Sequence, residues 1–201
     1  RWEGKWLLLF NIGSCAKYGW GMAKADSLSP LKYGKNPFKI EHNPYPLIPV
    51  RKAGIKYAPN DWIEIEGKYY SPDEVCGLPE IGIWTSEDLI HWVRHKGIKE
   101  KNIEGHDPGI IYDGEAFHLF LENSPYIRHC ILGDQLQTAR STQNVLKVGG
   151  HTGDPDVSFF NNRWHMFFDN APHTQYQIGY AYTSPSEFPK QWNLQPKIFG
   201  P

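Results

Sequence analysis

The stretch that decides the fold is DPGIIYDGEAFHLF, residues 107–120, which returns 47 residues further along as DPDVSFFNNRWHMFF, residues 154–168. A third copy, DWIEIEGKYY, occupies residues 61–70, and a fourth opens the chain at Glu3-Gly4 and continues to Phe10. The complete copies share an acid, a short apolar run, a two-residue polar turn and an aromatic-rich run. The turn residues Gly67, Gly114 and Asn161 follow one another at intervals of 47 residues. The sequence is therefore built from an internal repeat.

Each copy predicts a β-hairpin. Glu-Gly, Asp-Gly and Asn-Asn tolerate the positive φ of tight hairpin turns, and the flanking runs are β-branched and aromatic, as strands prefer. A second hairpin follows in two units, from Ile81–Thr85 to Trp92 and from Ile178–Thr183 to Trp192. Four strands in about 47 residues form a blade, and blades around an axis make a β-propeller. A β-sandwich is the alternative, but it does not predict an acid at the same phase of each repeat.

The 201 residues are therefore expected to form a single all-β propeller domain of four-stranded antiparallel blades. The blade units are predicted at about 1–55, 56–100, 101–147 and 148–195. The first unit begins at its first turn, and a fifth turn would fall beyond Pro201. Four-bladed closure is one option, and about three and a half blades of a larger ring is the one we favour. We then expect the first strand and a final blade to lie outside this chain.

The charge balance excludes two classes of partner. Lys and Arg number 21 and Asp and Glu 22, which gives a formal net charge of −1. A nucleic-acid binder needs a basic face, and a protein held on a membrane surface needs a polybasic segment. Cys15, Cys76 and Cys130 are too widely spaced for a disulfide framework or a metal knuckle. The compartment stays open, with an extracellular or periplasmic location favoured over the cytoplasm.

The repeated acids are the candidate functional residues. In a propeller blade the first strand lines the central channel, and Asp61, Asp107 and Asp154 begin that strand, so we expect them to converge on one face. Pro108 and Pro155 suit the open edge of such a strand, where a missing N–H is tolerated. The alternative for each acid is structural, since an Asp that starts a strand often accepts backbone N–H bonds in its own turn.

Hairpin pairing brings further polar residues to the same end. A turn at Asp113-Gly114 predicts Asp107 opposite Phe120, with Glu122 just above it. A turn at Asn161-Asn162 predicts Asp154 opposite Asp169. The loops that follow add histidines and aromatics, and aromatic rings stack on sugar faces.

Several carboxylates around a concave site push one another's pKa values apart, which yields one proton donor and one base. Glycoside hydrolysis needs such a pair. The candidate catalytic residues are Asp107, Asp154, Glu122 and Asp61, and the candidate substrate-binding residues are His106, Asp169, His173, His151, Trp20, Tyr126 and Tyr176. No metal site is predicted: His91 and His95 have zinc-like spacing, but no Glu lies between them and they fall on a predicted strand.

These motifs resemble the five-bladed propeller glycosidases of glycoside hydrolase family 43 and its relatives, over nearly the whole chain. Tyr57-Ala-Pro-Asn-Asp61 with Glu66–Tyr70 is similar to that family's second-blade W-A-P-D and G-K-Y-Y motifs. His106–Ile110 with Tyr112–Gly114 is similar to its third-blade D-P and D-G motifs, and Ile81–Trp92 to its outer hairpin. The resemblance implies that Asp107 tunes the pKa of the catalytic acid and orients the sugar.

The chain departs from the family pattern in two places. The family's general base stands at the start of the first blade, which would precede Arg1. Its general acid is a Glu in an E-G-P or E-A-P context, where this chain has Thr152-Gly-Asp154-Pro. Asp154, Glu122 or Asp169 then remains open as the replacement.

The expected function is a glycoside hydrolase of inverting type that cleaves plant or algal oligosaccharides in the manner of an arabinosidase or xylosidase. It requires no cofactor, and the resemblance allows a structural Ca²⁺ ion in the central channel. The alternatives are a non-catalytic carbohydrate-binding propeller and a related retaining fructosidase or mannoside phosphorylase. A protein-interaction propeller of the WD kind is a third class, but its G-H and W-D signatures are missing.

Overall fold

The computed structural model describes residues 4–12, 19–33, 35–40, 62–74, 81–89, 91–95, 103, 105–133, 136, 138–171 and 177–195. These residues form β-strands and one short 3-10 helix, Ser29–Tyr33. The strands are β1 Trp6–Ile12, β2 Gly19–Ala25, β3 Lys39–Ile40, β4 Ile63–Ile65, β5 Lys68–Glu74, β6 Ile81–Ser86, β7 Trp92–Arg94, β8 His106–Tyr112, β9 Phe117–Asn123, β10 Tyr126–Leu132, β11 Ala139–Lys147, β12 His151–Phe160, β13 Arg163–Ala171, β14 Gln177–Thr183 and β15 Asn193–Leu194.

Every sheet joins strands that are consecutive in the chain. The orders are β1-β2-β3, β4-β5-β6-β7, β8-β9-β10-β11 and β12-β13-β14-β15, and all the pairings are antiparallel. Each sheet lies within one of the four repeat units. The prediction of an all-β chain with four-stranded antiparallel sheets is therefore confirmed for three of the four sheets, and the first sheet has three strands within the described residues. In the described part of the chain, no helix has the length and apolar character that a membrane crossing demands.

Two of the three two-residue hairpin turns that the sequence predicts are present in the structure. The φ values are 52° at Glu66 and 77° at Gly67, and 48° at Asn161 and 58° at Asn162. Two successive positive φ values are typical of the type I′ turn that suits a two-residue hairpin. The two-residue turn predicted at Asp113-Gly114 is wrong. Tyr112 pairs with Phe117, and Asp113 Oδ1 accepts the N–H groups of Glu115 and Ala116, both at 2.8 Å. Asp113 N–H also donates to the carbonyl oxygen of Ala116 at 3.3 Å, so the turn is centred on Gly114-Glu115, one residue later than predicted.

The core lies between the sheets and is divided by the sheet β8–β11. One cluster joins β6 to this sheet through Ile81, Ile83, Leu119 and Leu121, and the other joins it to β12–β14 through residues such as Phe120. Strand β9 alternates its side chains between the two clusters, so it is buried on both faces. Burial of each side chain of this size stabilises the folded state by about 1.5–3 kcal/mol. The strand that carries Glu122 is therefore held from both sides.

The first strand of each four-stranded sheet lies at the edge of its sheet, as predicted for Pro108 and Pro155. Strand β12 packs against β8 and β9, and β8 packs against β4 and β5. The backbones approach so closely that a Cβ on Gly109 would clash with the carbonyl oxygen of Pro155. Successive first strands thus bring the two Asp-Pro dipeptides side by side.

Candidate functional site

Strands β8 and β12 each carry a bulge at an Asp-Pro dipeptide. The pairing register shifts between His106 and Gly109 in β8 and between Gly153 and Asp156 in β12. Asp107 and Asp154 have the same positive φ of 45°, although a residue that precedes proline normally adopts an extended conformation. Such left-handed geometry costs roughly 1–3 kcal/mol at a residue other than glycine and is concentrated at functional sites. The strain is thus repeated at the two acids that the sequence singled out.

The structure corrects the predicted pairing. Asp107 does not lie opposite Phe120, which pairs with Gly109, and Glu122 pairs with His106. Asp154 does not lie opposite Asp169, which pairs with Gly153. In β8 the turn causes most of the shift, because the ladder from Tyr112–Phe117 to Gly109–Phe120 is already displaced by two residues from the predicted register before the bulge is reached. In β12 the ladder keeps the predicted register as far as Asp156–Phe167, and the extra residue of the bulge displaces the partner of Asp169. As a result Glu122 stands level with the Asp107 bulge.

Of the acids at this end of the molecule, Glu122 has the most strongly shifted pKa. Its residue is 9 % exposed, and burial raises the pKa of the carboxyl to about 7. The charge of His151 lowers the pKa of Glu122, a hydrogen bond and the charge of Asp107 raise it, and a hydrogen bond from Ser124 lowers it. A carboxyl group with this pKa holds a proton near neutral pH and can deliver it to a reacting oxygen.

Ser124 links Glu122 to the neighbouring sheet. Its Oγ lies 3.3 Å from Glu122 Oε1 and 3.5 Å from His151 Nδ1, and His151 Nδ1 lies 3.3 Å from the same Glu122 oxygen. The Ser124 hydroxyl also accepts the N–H of Thr152 at 3.0 Å. We refer to Asp107, Glu122, Ser124 and His151 as the mouth cluster.

Gly153 allows a second carboxylate to approach this cluster. A Cβ at Gly153 would lie 2.6 Å from Asp169 Oδ1 and 2.9 Å from Glu122 Oε2, so the two oxygens are separated by no more than the sum of these distances. Within the described residues, the buried atoms Asp169 Oδ1, Asn170 Oδ1 and Thr152 Oγ1 have no hydrogen-bond partner. Buried acceptors of this kind are suited to the hydroxyl groups of a ligand or to a bound water.

The structure brings several of the candidate residues together. His106, Asp107, Glu122 and His151 share one end of the sheets with Asp169, and Asp154 is at the same end, exposed on the neighbouring bulge. Tyr126 starts β10, and its ring lies 5.8 Å from Lys147 Nζ. Asp61, His173 and Tyr176 fall outside the described residues, as does the side chain of Trp20.

Sequence reasoning missed Ser124 and Gly153. Their contacts cross from one sheet to the next, between residues 27 to 31 positions apart, so no local pattern marks them. The flanking Glu122 and the phased acid at Asp154 were the only signals nearby.

The two histidines with zinc-like spacing have other partners. His91 Nδ1 lies 2.6 Å from Asp88 Oδ2, and His95 Nε2 lies 3.0 Å from Thr85 Oγ1. Across the described stretches of the chain, no group of three or more His, Cys, Asp or Glu side chains is arranged to hold a metal ion.

The fold is similar to solved structures of carbohydrate-active enzymes. An exo-1,5-α-L-arabinanase from a bovine ruminal metagenomic library is 15 % identical with a TM-score of 0.67, over 98 % of this chain and 76 % of that one. An endo-1,4-β-xylanase from Bacteroides thetaiotaomicron is 16 % identical with a TM-score of 0.72, over 98 % and 70 %. A family 43 endo-arabinanase from Bacillus licheniformis is 14 % identical with a TM-score of 0.63, over 98 % and 77 %.

No protein-family model and no curated protein matches the sequence. At these identities the structural likeness establishes the fold. The resemblance to the propeller fold of family 43 glycoside hydrolases, which the motifs predicted, is thereby confirmed.

Proposed function

We propose that the chain is part of a glycoside hydrolase in which Glu122 is the proton donor. The observation that carries this proposal is the state of Glu122: a nearly buried carboxyl whose pKa is raised to about 7 and which shares a hydrogen bond with Asp107. The similarity of the fold to arabinanases and xylanases adds support for a carbohydrate substrate. We expect an oligosaccharide of plant or algal origin, cleaved as by an arabinosidase or xylosidase.

In the proposed reaction Glu122 gives its proton to the glycosidic oxygen as the bond from that oxygen to the anomeric carbon breaks. Water attacks the anomeric carbon, and a second carboxylate accepts the proton of that water. Burial keeps Glu122 protonated before the reaction, and Asp107 adds to this effect because its hydrogen bond and its charge both raise the pKa of Glu122. This is the role that the family resemblance implied for Asp107.

The second carboxylate of an inverting reaction lies roughly 6.5–9.5 Å from the acid, since a water must fit between them. Asp169 is too near for this role, because its Oδ1 faces Glu122 Oε2 across Gly153. We therefore assign Asp169 to binding a substrate hydroxyl. Of the other candidate catalytic residues, we assign the base to Asp154, which is exposed on its bulge, or to Asp61.

We also propose that a further sheet completes a five-bladed ring. The face of β12–β15 that points away from β8–β11 carries Phe160, Phe167, Tyr180 and Ile178, and Phe160 and Ile178 are 45 % and 46 % exposed. The same face also carries Asp156 and Arg163, and exposed apolar side chains on a sheet face normally pack against another layer. The similar enzymes are longer than the aligned region, which covers 76 % and 70 % of their chains.

A non-catalytic carbohydrate-binding propeller is the second candidate. The observation that favours it is the set of buried acceptors around Gly153, which could bind sugar hydroxyls without turnover.

The test is turnover of aryl glycosides and oligosaccharides of arabinose, xylose, galactose and fructose by the full-length protein and by its Glu122→Gln variant. General acid catalysis contributes roughly 10²–10⁴-fold, so we expect a loss of that size with a phenyl leaving group. The loss should be much smaller with a dinitrophenyl leaving group, which departs without a proton. Glu115→Gln, on the exposed turn at the other end of the same hairpin, is the matched control. Saturable sugar binding without turnover of any substrate would establish the binding propeller instead.

A further inference from the structure

The hydroxyl of Ser124 lies where two sheets meet. Ser124 belongs to the short connection between β9 and β10, and its Oγ accepts the N–H of Thr152 in β12 at 3.0 Å. Thr152 is fully buried. The bond fixes the hydroxyl oxygen in place beside the carboxyl of Glu122.

The hydroxyl has one proton and several acceptors. Glu122 Oε1 lies at 3.3 Å and the carbonyl oxygen of Thr152 at 3.2 Å from Oγ, and His151 Nδ1 is more distant at 3.5 Å. A serine hydroxyl donates only one hydrogen bond at a time, so it can serve the carboxyl group or the backbone carbonyl, but not both.

We propose that Ser124 is a positioning residue whose hydroxyl proton turns from the Thr152 carbonyl to Glu122 when the carboxyl gives up its proton. This inference rests on the proposed function of Glu122. While Glu122 is protonated, the neutral carboxyl is a poor acceptor and the hydroxyl donates to Thr152. Once Glu122 is an anion, the charge-assisted bond is the stronger one. The hydroxyl proton reorients and never leaves Ser124, and the transferred proton is the one that Glu122 carries.

The reorientation stabilises the anion that proton donation leaves behind. It opposes Asp107, because the hydrogen bond from Ser124 lowers the pKa of Glu122 while Asp107 raises it. The other ionisable groups that face Glu122 are His106, its pairing partner on β8, His151 on β12 and Asp169 on β13. Ser124→Ala removes the hydroxyl alone, and because that hydroxyl also lies 3.5 Å from His151 Nδ1, the His151 ring signals are followed together with those of Glu122.

The first measurement is the titration of the Glu122 side-chain carboxyl by carbon-13 NMR in the full-length protein and in Ser124→Ala. We expect the midpoint to move to higher pH in the variant, because only the ionised carboxyl loses a hydrogen bond. Ser124→Thr, which keeps the hydroxyl, should restore the midpoint. Ser141→Ala, an exposed serine on β11, is the control. An unchanged midpoint in Ser124→Ala, or the same change in Ser141→Ala, overturns the proposal.

The second measurement is the pH profile of kcat and KM. Loss of a hydrogen bond to a charged group should lower kcat roughly 10- to 100-fold with little effect on KM, and the alkaline limb should move to higher pH. Ser124→Cys retains the size of the side chain with a much weaker donor, and it provides the test if Ser124→Ala does not fold. A fall in kcat with an unmoved alkaline limb overturns the proposal. A moved NMR midpoint in a protein that turns over no substrate supports the proposal for Ser124 and removes the proposed hydrolase function.

Discussion

Each end of the hairpin β8–β9 carries an acidic side chain close to a histidine. The two ends differ in the groups that form hydrogen bonds with the carboxylate. At the turn, Asp113 Oδ1 accepts the N–H groups of Glu115 and Ala116, and Asp113 Oδ2 lies 2.9 Å from His118 Nε2. His118 Nδ1 in turn lies 2.8 Å from Nε2 of the fully buried His129. We call Asp113, His118 and His129 the tip cluster. At the other end, the mouth cluster places Glu122 against a second acid, Asp107.

The pKa values of Asp113 and Glu122 shift in opposite directions, because different groups contact the two carboxylates. Burial by itself raises the pKa of both. At Asp113 the backbone N–H groups of Ala116 and Glu115, together with His118, outweigh burial and lower the pKa. At Glu122 burial prevails and the pKa reaches about 7. Burial therefore yields a proton donor only where backbone donors do not satisfy the anion.

The histidines of the tip cluster are neutral. Burial lowers the pKa of His118, and it lowers the pKa of His129 to about 3. An ionised Asp113 then accepts from His118 Nε2–H, and His118 Nδ1 accepts from His129 Nε2–H. The tip cluster is thus a fixed structural chain, whereas the mouth cluster holds a proton that can leave.

Gly153→Ala is the substitution that we expect to disturb the geometry of the mouth cluster most. The new Cβ would lie 2.6 Å from Asp169 Oδ1 and 2.9 Å from Glu122 Oε2, so one carboxylate must move. A displacement of about 1 Å at a catalytic group can cost about 10²-fold in rate, and we expect a loss of that size in kcat/KM.

The control for Gly153→Ala is Gly149→Ala, where a Cβ meets no atom within 4 Å. Steady-state kinetics on the best substrate of the panel would compare the two. Equal activity of both alanine variants would mean that Glu122 and Asp169 need not converge for the reaction.

Asp113→Ala breaks the tip cluster and should affect stability alone. It leaves His118 and the two turn N–H groups without their acceptor, and loss of a buried partner costs about 1–3 kcal/mol. Urea unfolding should show this loss in the free energy of unfolding, while kcat/KM stays unchanged. The matched variant is Glu115→Ala on the same turn. A large fall in activity of folded Asp113→Ala would remove the division between a structural end and a reactive end.

Much of the fold was predictable because it is encoded locally. The 47-residue spacing located the hairpins, and the Glu66-Gly67 and Asn161-Asn162 turns formed as two-residue turns since their residues accept positive φ. The turn at Asp113 was placed one residue too early, because the Asp113 side chain accepts the N–H groups of Glu115 and Ala116 and thereby precedes the turn instead of forming part of it.

The site was predictable only in outline. The phase of the repeat located Asp107 and Asp154, but the displaced turn and the bulge of β8 shifted the pairing of Glu122, and the bulge of β12 shifted that of Asp169. The local sequence does not predict a bulge at Asp-Pro, because a residue before proline normally has an extended backbone. The contacts of Ser124 and Gly153 depend on how two sheets pack, which the pattern of one strand does not contain.

The smallest expected effect, and the most direct test of the opposed pKa shifts, is the pH dependence of stability. The folded-state pKa of Glu122 lies above the ordinary value of 4.5, at about 7, so ionisation of Glu122 destabilises the fold as the pH rises from 4.5 through 7. The stability of Glu122→Gln relative to the wild type should therefore rise across this window and level off above it. The folded-state pKa of Asp113 lies below 3.8, so its contribution is fully present above pH 3.8 and is lost as the pH falls through the folded-state value.

The stability deficit of Asp113→Ala should accordingly shrink only below pH 3.8, outside the window of Glu122. One proton changes the free energy of unfolding by at most about 1.4 kcal/mol per pH unit, so urea unfolding at half-unit intervals from pH 3 to 8.5 resolves both slopes. If the two variants diverge from the wild type in the same window and with the same sign, then burial governs both acids alike. The backbone donors of the Asp113 turn would in that case not explain why one end of the hairpin is structural and the other is suited to release a proton.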